Sequence, residues 1–258
     1  MKLKKYQTII IKIGSSLIVD KNRSMRIKWL KSLARDIKKL QKNGHKVLLV
    51  SSGSIASSCK KLKTDPNLLS LSQKQAYAAY GQAILIEKIG RIFAKAKLDV
   101  AQILVTADDC KVEKRKLNIR NCLDNLHKMN IIPVINENDV VAIDEIKFGD
   151  NDGLAAEMAI LVKADLLVLM SDVDGLYDYD PKLNKNAKII NLPNSSDSIL
   201  FSKVKKTKSY YGTGGMYSKL ESAKKANSNN IDVIITKGEG RKPLFALEKK
   251  KPYSLFAV

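Results

Sequence analysis

The chain has 258 residues, of which 45% are hydrophobic and 28% charged, so it can bury a sizeable core and has an ordinary globular composition. Its three cysteines show no CxxC spacing, which argues against a disulfide framework or a zinc site, and two histidines are too few for a histidine metal cluster. The net charge of +20 would suit a nucleic-acid-binding protein, but the lysines are spread along the whole chain and are not interleaved with aromatic residues. The charge therefore favours a lysine-rich solvated surface, or a positive field that attracts anionic substrates, over a specific nucleic-acid interface.

The predicted elements alternate between short apolar strands and longer amphipathic helices. In chain order they are a strand at 8–13, a helix at 25–43, a strand at 46–50, a helix at 72–96, a strand at 100–105, a helix at 118–129, a strand at 131–135, a helix at 153–162, a strand at 166–170, a helix at 216–227 and a strand at 233–236. Strands that are apolar throughout indicate a parallel sheet covered on both faces. The expected fold class is α/β, a three-layer α/β/α sandwich with a mainly parallel central sheet.

No stretch is typical of a signal peptide or of a membrane span. The apolar run after the basic residues 1–5 is interrupted by Lys12 and Gly14, and the most apolar region, 155–173, contains Glu157, Lys163 and Asp165. A cytoplasmic protein with no membrane partner is expected. The polar segment 177–210 predicts an excursion or lid within one compact unit.

Small polar or charged residues follow the predicted strands, at 12–16, 51–54, 136–139 and 171–175. Parallel sheets bind ligands beyond the carboxyl ends of their strands, so these residues predict the rim of an active site. Lys12 lies inside an apolar strand just before Gly14, which lets the backbone approach a ligand closely. Alone, such a lysine is equally explained by a side chain that reaches out to solvent.

A glycine-rich turn at 212–215 leads into the predicted helix 216–227, with Lys219 one turn inside it. Backbone N–H groups at such a turn can hold phosphate oxygens. The alternative, a glycine-rich surface loop, explains the three glycines and the following lysine less well. The polar residues at 150–152 occupy the start of another helix, where they form either a solvated turn or an oxygen-rich ligand site. From there Asn151 could donate to a substrate, and Asp152 could hold the lysines apart.

Two further pairs of polar residues favour an anionic ligand. Ser52 and Gly53 stand between a strand and a helix, where they either bind an anion or serve as an ordinary helix cap. Ser171 and Asp172 suit the edge of a nucleotide or its magnesium. Neither a Ser/His/Asp triad nor an activated cysteine is indicated, and the chemistry suggested is positioning with charge stabilisation, as in phosphoryl transfer.

Taken in order, these motifs resemble the amino-acid kinase family, and within it the glutamate 5-kinase branch. The similarity covers nearly the whole chain and is most specific at 133–141, 146–154 and 212–219. It implies transfer of the γ-phosphoryl group of ATP, accompanied by Mg²⁺, to the γ-carboxylate of L-glutamate, the first step of proline biosynthesis. The alternatives are a kinase of another small acid or nucleotide on the same fold and, less favoured, a basic nucleic-acid-binding protein.

The resemblance also assigns residues to roles. To catalysis it assigns two lysines that contact the transferred phosphoryl group and two aspartates that organise them: Lys12, Lys219, Asp150 and Asp152. The positions that bind the amino acid are Ser52, Gly53, Asn136, Glu137, Asp139, Lys147 and Asn151. The positions that bind ATP are Lys12, Gly14, Ser171, Asp172, Thr213, Gly214, Gly215, Met216 and Lys219. The loop at Lys147 is associated in the family with glutamate binding and proline inhibition.

The implied organisation is a single kinase domain over 1–258, with the amino acid bound by about 1–165 and the nucleotide by about 166–258. Many bacterial members also carry a C-terminal PUA domain, and the form expected here departs from them in lacking it. It further implies proline as a feedback inhibitor, a glutamyl phosphate reductase as a partner, and a homo-oligomer, either a dimer or a tetramer.

Overall fold

The structure is a computed structural model that describes residues 1–20, 22–142, 151–179, 181, 184–193, 215–249 and 251–258. The strands in these ranges are β1 (Thr8–Ile13), β2 (Lys46–Val50), β3 (Asp99–Val105), β4 (Ile131–Glu137), β5 (Leu166–Ser171), β6 (Asp232–Lys237) and β7 (Ser254–Phe256). They form one sheet in the order β3-β4-β2-β1-β5-β6-β7. Every neighbouring pair is parallel except β6 and β7. The prediction of a mainly parallel α/β sheet is confirmed.

Helices cover both faces of this sheet. Those in the described residues are α1 (Ser15–Ile18), α2 (Ile27–Lys42), α3 (Ser54–Leu62), α4 (Leu71–Ala94), α5 (Glu113–Lys128), α6 (Asn151–Leu161) and α7 (Met216–Asn227). Successive side chains of β1 point to opposite faces. Ile9 and Ile11 belong to the same buried cluster as Trp29 of α2, whereas Ile10 packs in a second cluster with Leu154 of α6. These two clusters make the molecule a three-layer sandwich.

The boundaries differ from the predictions where apolar periodicity gives no signal. Helix α5 begins at Glu113 rather than at 118, because a charged turn held by the Lys116–Glu113 ion pair of 2.7 Å precedes its apolar residues. Helix α6 begins at Asn151 rather than at 153, which places Asp152 within its first turn. The antiparallel strand β7 and the four-residue helix α1 are too short to show a period, and neither was predicted.

The described part of the polar segment 177–210 packs against the sheet edge. Tyr177 and Ile189 form an antiparallel bridge, so this part of the chain folds back on itself. The N–H of Leu255 in β7 donates to the carbonyl of Asn191 at 2.8 Å. Residues 194–210 lie outside the described part of the chain, so the prediction of a lid stays a prediction. Across the described ranges, no helix combines the length and the apolarity that crossing a membrane requires.

Helices α3 and α4 pack in close contact at Gly81, and we predict that Gly81→Ala destabilises the protein. A Cβ at this position would lie 1.9 Å from the carbonyl oxygen of Ser54, so the helices must separate. We expect the free energy of unfolding, measured with denaturant, to fall by about 1–3 kcal/mol. Gly90→Ala in the same helix is the matched control, because its nearest contact would be 3.6 Å away, and it should gain up to about 1 kcal/mol in helix propensity. Equal stability of the two variants would contradict this packing.

Candidate active site

The carboxyl ends of the central strands meet at one edge of the sheet. The N–H of Gly14, just after β1, donates to the carbonyl of Met170 in β5 at 3.1 Å. The N–H of Ser51, just after β2, donates to the carbonyl of Ile135 in β4 at 2.9 Å. These cross-strand hydrogen bonds continue the ladder past the strand ends, so the polar residues that follow lie side by side.

Lys12, Asp152 and Lys219 form a buried ion-pair cluster at this edge. The Nζ of Lys12 lies 2.5 Å from Oδ1 of Asp152, and the Nζ of Lys219 lies 2.8 Å from Oδ2 of the same carboxylate. Asp152 is fully buried, and the two lysines are 5% and 4% exposed. Lys12 points to the α6–α7 face of the sheet because it alternates with Ile11 and Ile13 along β1. One carboxylate thus joins two lysines that are distant in sequence.

The charges of this cluster determine the protonation of Asp152. Burial raises the pKa of a carboxyl group, but the ammonium groups of Lys12 and Lys219 outweigh it and bring the pKa of Asp152 below its ordinary value. The carboxylate is therefore ionised at neutral pH. A single negative charge between two positive ones leaves the cluster with an excess positive charge, which suits an anion such as a phosphoryl group.

The lowered pKa of Asp152 predicts how stability depends on pH. Because its folded-state pKa lies below the ordinary value of 3.8, the ion pairs contribute fully above pH 3.8, and their contribution is lost as the pH falls through the folded-state pKa. We expect the difference in unfolding free energy between the wild type and Asp152→Asn to stay constant above that pH and to shrink below it. Denaturant titrations at a series of pH values measure this difference. A difference that disappears near neutral pH would contradict the lowered pKa.

A second group of polar residues surrounds the ends of β2 and β4. The side-chain N–H groups of Asn151 donate to the Oδ1 of Asn136, at 2.6 Å, and to the carbonyl of Ser51. The Oδ1 of Asn136 also accepts from the N–H of Glu137 at 3.0 Å. Asn136 and Glu137 are buried, so this network is fixed before any ligand arrives.

The loop before α3 lies next to this network. Gly53 has a φ of +99°, a left-handed conformation that favours glycine, and it caps the start of α3. The hydroxyl of Ser52 is partly buried and lies 3.5 Å from the carbonyl of Ile13 at the end of β1. Asp139 lies in the turn that follows β4. Ser52, Gly53, Asn136, Glu137, Asp139 and Asn151, predicted to bind the amino acid, therefore all lie near the carboxyl ends of β1, β2 and β4.

Ser171, Asp172, Gly215 and Met216, which are predicted to bind ATP, lie on the other side of β1. The hydroxyl of Ser171, at the end of β5, donates to the carboxylate of Asp172 at 3.0 Å. Gly215 caps the start of α7, which begins at Met216 and carries Lys219 one turn further on. Four predicted site residues lie outside the described part of the chain: Lys147, Asp150, Thr213 and Gly214.

Sequence reasoning overlooked two contributors to this edge. The carbonyl of Ser51 accepts from Asn151, but a backbone acceptor leaves no signal in the residue type. Gly238, just after β6, donates its N–H to the carbonyl of Ser171 at 2.7 Å. A glycine two residues after the predicted strand at 233–236 was the available signal for this second contributor.

Comparison with known proteins identifies the family of the chain. The sequence model of the Amino acid kinase family matches residues 7–237, nearly the whole chain. The chain belongs to the amino acid kinase family. The resemblance that the motifs indicated is thereby confirmed.

Proteins named glutamate 5-kinase are similar to this amino acid kinase over nearly its full length. Its alignment with the one from Pelagibacter ubique is 41% identical over 256 residues and covers 99% of this chain and 70% of that protein. Its alignment with the one from Bradyrhizobium diazoefficiens is 43% identical over 247 residues and covers 95% of this chain and 66% of that protein. A third, from Clostridium acetobutylicum, is 40% identical over 231 residues and covers 90% of this chain and 86% of that protein.

Solved structures share the fold at low sequence identity. The UMP kinase from Ureaplasma parvum has a TM-score of 0.64 and 18% identity, covering 98% of this chain and 99% of that one. The isopentenyl phosphate kinase from T. acidophilum has a TM-score of 0.66 and 19% identity, covering 96% of this chain and 99% of that one. At these identities the likeness establishes the three-layer fold alone.

Proposed function

We propose that this chain transfers the γ-phosphoryl group of ATP to the γ-carboxylate of L-glutamate, giving ADP and L-glutamyl 5-phosphate, the first step of proline biosynthesis. The observation that carries phosphoryl transfer is the pair of lysines held on one buried carboxylate at the ligand-binding edge. The choice of glutamate rests on the 41% identity to a glutamate 5-kinase over 99% of the chain.

The proposed mechanism needs no general base, because the γ-carboxylate of glutamate is already ionised at neutral pH. Lys12 stabilises negative charge on the transferred phosphoryl group, and Lys219 stabilises the charge that develops on the bridging oxygen of the departing ADP. Asp152 sets the orientation of both ammonium groups and reduces their mutual repulsion. The cluster therefore supplies preorganised positive charge where the transition state needs it.

We place the amino acid near Ser52, Asn136 and Asn151, and the nucleotide near Ser171 and Gly215. This assignment follows the division of the chain at about residue 165, because β1 pairs with β2 on one side and with β5 on the other. The γ-phosphoryl group would then lie over the end of β1, next to Lys12. Both substrates reach the lysines from opposite sides.

Mg²⁺ accompanies ATP in this proposal and neutralises part of the phosphate charge. Within the described ranges, no group of three or more His, Cys, Asp or Glu side chains could hold a metal ion. Both oxygens of Asp152 face lysines, so this carboxylate is unsuited to a divalent cation. We propose that Mg²⁺ enters the site on the phosphate oxygens of ATP.

Trapping of the product with hydroxylamine tests the proposal, because acyl phosphates form hydroxamates and phosphate esters do not. We expect hydroxamate and ADP in equal amounts with L-glutamate, and little of either with L-aspartate, N-acetylglutamate or UMP. Release of ADP with UMP but without hydroxamate would contradict the proposal and indicate a nucleotide kinase.

The proposal also includes regulation and partners. Proline acts as a feedback inhibitor, the chain forms a homo-oligomer, and a glutamyl phosphate reductase consumes the unstable acyl phosphate. Adding proline to the hydroxamate assay tests the first of these. An unchanged rate at millimolar proline would remove feedback inhibition from the proposal without affecting the catalysed reaction.

A further inference from the structure

Gly238 lies at a junction between the two elements that border the proposed nucleotide site. Its N–H donates to the carbonyl of Ser171 at 2.7 Å, and its carbonyl accepts from the indole N–H of Trp29 at 2.6 Å. Trp29 is on α2 and is 6% exposed, so the second bond is shielded from water. Both backbone groups of Gly238 are therefore fixed by named partners.

The same glycine contacts the helix that follows Lys12. A Cβ on Gly238 would lie 2.1 Å from the Cδ1 of Leu17, a buried residue of α1. Helix α1 starts directly after Gly14, so the position of Leu17 is linked to that of the backbone next to Lys12. The guanidinium of Arg26, just before α2, also donates to the carbonyl of Ser16 at 3.0 Å. Helix α2 thus holds both Gly238 and α1.

We propose that Trp29 is a positioning residue for the nucleotide site. Its indole N–H holds Gly238, and Gly238 in turn sets the distance between the Ser171 end of β5 and the α1 turn after Lys12. ATP would have to touch both of these elements at once. This inference rests on the proposed function only in placing the nucleotide beside Ser171 and Lys12, and it concerns a side chain that touches neither substrate.

Simple core packing is the competing explanation, because a buried tryptophan usually finds some acceptor for its N–H. The two explanations predict different kinetics. Loss of packing lowers stability and affects both substrates alike, whereas loss of positioning raises the KM for ATP and leaves the KM for glutamate unchanged.

Trp29→Phe tests the proposal, because it keeps an aromatic ring and removes the donor. We expect the KM for ATP to rise about three- to tenfold, the equivalent of one neutral hydrogen bond, with kcat and the KM for glutamate unchanged. Tyr6→Phe is the matched control. It removes the hydrogen bond, also of 2.6 Å, from the Tyr6 hydroxyl to Asp232, which begins β6 at the end away from Gly238. This control should leave both KM values unchanged.

Intrinsic fluorescence gives an independent readout, because Trp29 is the single tryptophan of the chain. Binding of MgADP should change its emission, and glutamate alone should not. If the wild type phosphorylates glutamate but Trp29→Phe has an unchanged KM for ATP, or equal rises in both KM values, the positioning role is overturned and the proposed function stands. If the wild type turns over no ATP with glutamate, the proposed function is overturned, and equal affinities of the wild type and Trp29→Phe for MgADP would then overturn the positioning role.

Discussion

Asp152→Asn is expected to reduce kcat by at least a hundredfold and to destabilise the folded protein. The change leaves two ammonium groups facing each other in a buried space, without the carboxylate that lies 2.5 and 2.8 Å from them. Breaking a buried ion pair typically costs about 3–5 kcal/mol, and here two pairs share the lost charge. The hydroxamate assay measures kcat, and denaturant unfolding measures the free energy.

Glu157→Gln is the matched control for this variant. Glu157 lies on the same helix, α6, and pairs with Lys225 of the same partner helix, α7, but at the partly exposed surface. Exposed ion pairs contribute at most about 1 kcal/mol, so this variant should keep its activity and nearly all of its stability. A fully active Asp152→Asn protein would remove the cluster from the mechanism. Equal stability losses in the two variants would contradict its buried geometry.

Lys12→Met and Lys219→Met should each lower kcat by roughly 10²–10³-fold, the usual effect of removing one preorganised group that stabilises the transition state. Methionine approximates the length of lysine without its charge. Asp152 keeps one lysine partner in either variant, so we expect both proteins to fold and to show the secondary structure of the wild type by circular dichroism. Single-turnover kinetics would separate the chemical step from nucleotide binding.

Lys225→Met, which removes a surface lysine of α7, is the control for these variants. It makes the same chemical change on the same helix as Lys219→Met, at a position that pairs with Glu157 instead of Asp152. Its kcat should match that of the wild type. Near wild-type turnover in either Lys12→Met or Lys219→Met would disprove the proposed roles of the two lysines.

Much of the fold was predictable because buried parallel strands have a strong local signal. The apolar run of β1 and the run of β2 were predicted with the observed ends, since both are bounded by polar or glycine residues. Strand β7 escaped prediction because its three residues pair with β6 only through contacts that are distant in sequence. Residues 254–256 form a strand because they pair with β6, and their own sequence has no strand pattern.

The side chains of the candidate site could be predicted from the sequence, but its backbone hydrogen bonds could not. Lys12 and Asp152 could be predicted because they are charged residues that interrupt or border apolar runs. Burying such a charge costs free energy unless the charge is paired. The hydrogen bonds of the Ser51 carbonyl and of the two Gly238 backbone groups could not be predicted, because nearly every residue carries the same groups. The hydrogen bond from Trp29 to Gly238 joins α2 to the residue after β6. It forms between residues that are distant in sequence, so it can be seen only in the folded structure.

The cluster of Lys12, Asp152 and Lys219 also has a consequence for how the protein folds. Its members come from β1, α6 and α7, so they meet only after very long loops have closed. Helices can form early from local contacts, but such distant pairings form late and slow the folding of a chain. In a refolding experiment, helical circular dichroism should therefore recover before enzymatic activity does. Recovery of activity would therefore show that β1, α6 and α7 have reached their native positions around the sheet.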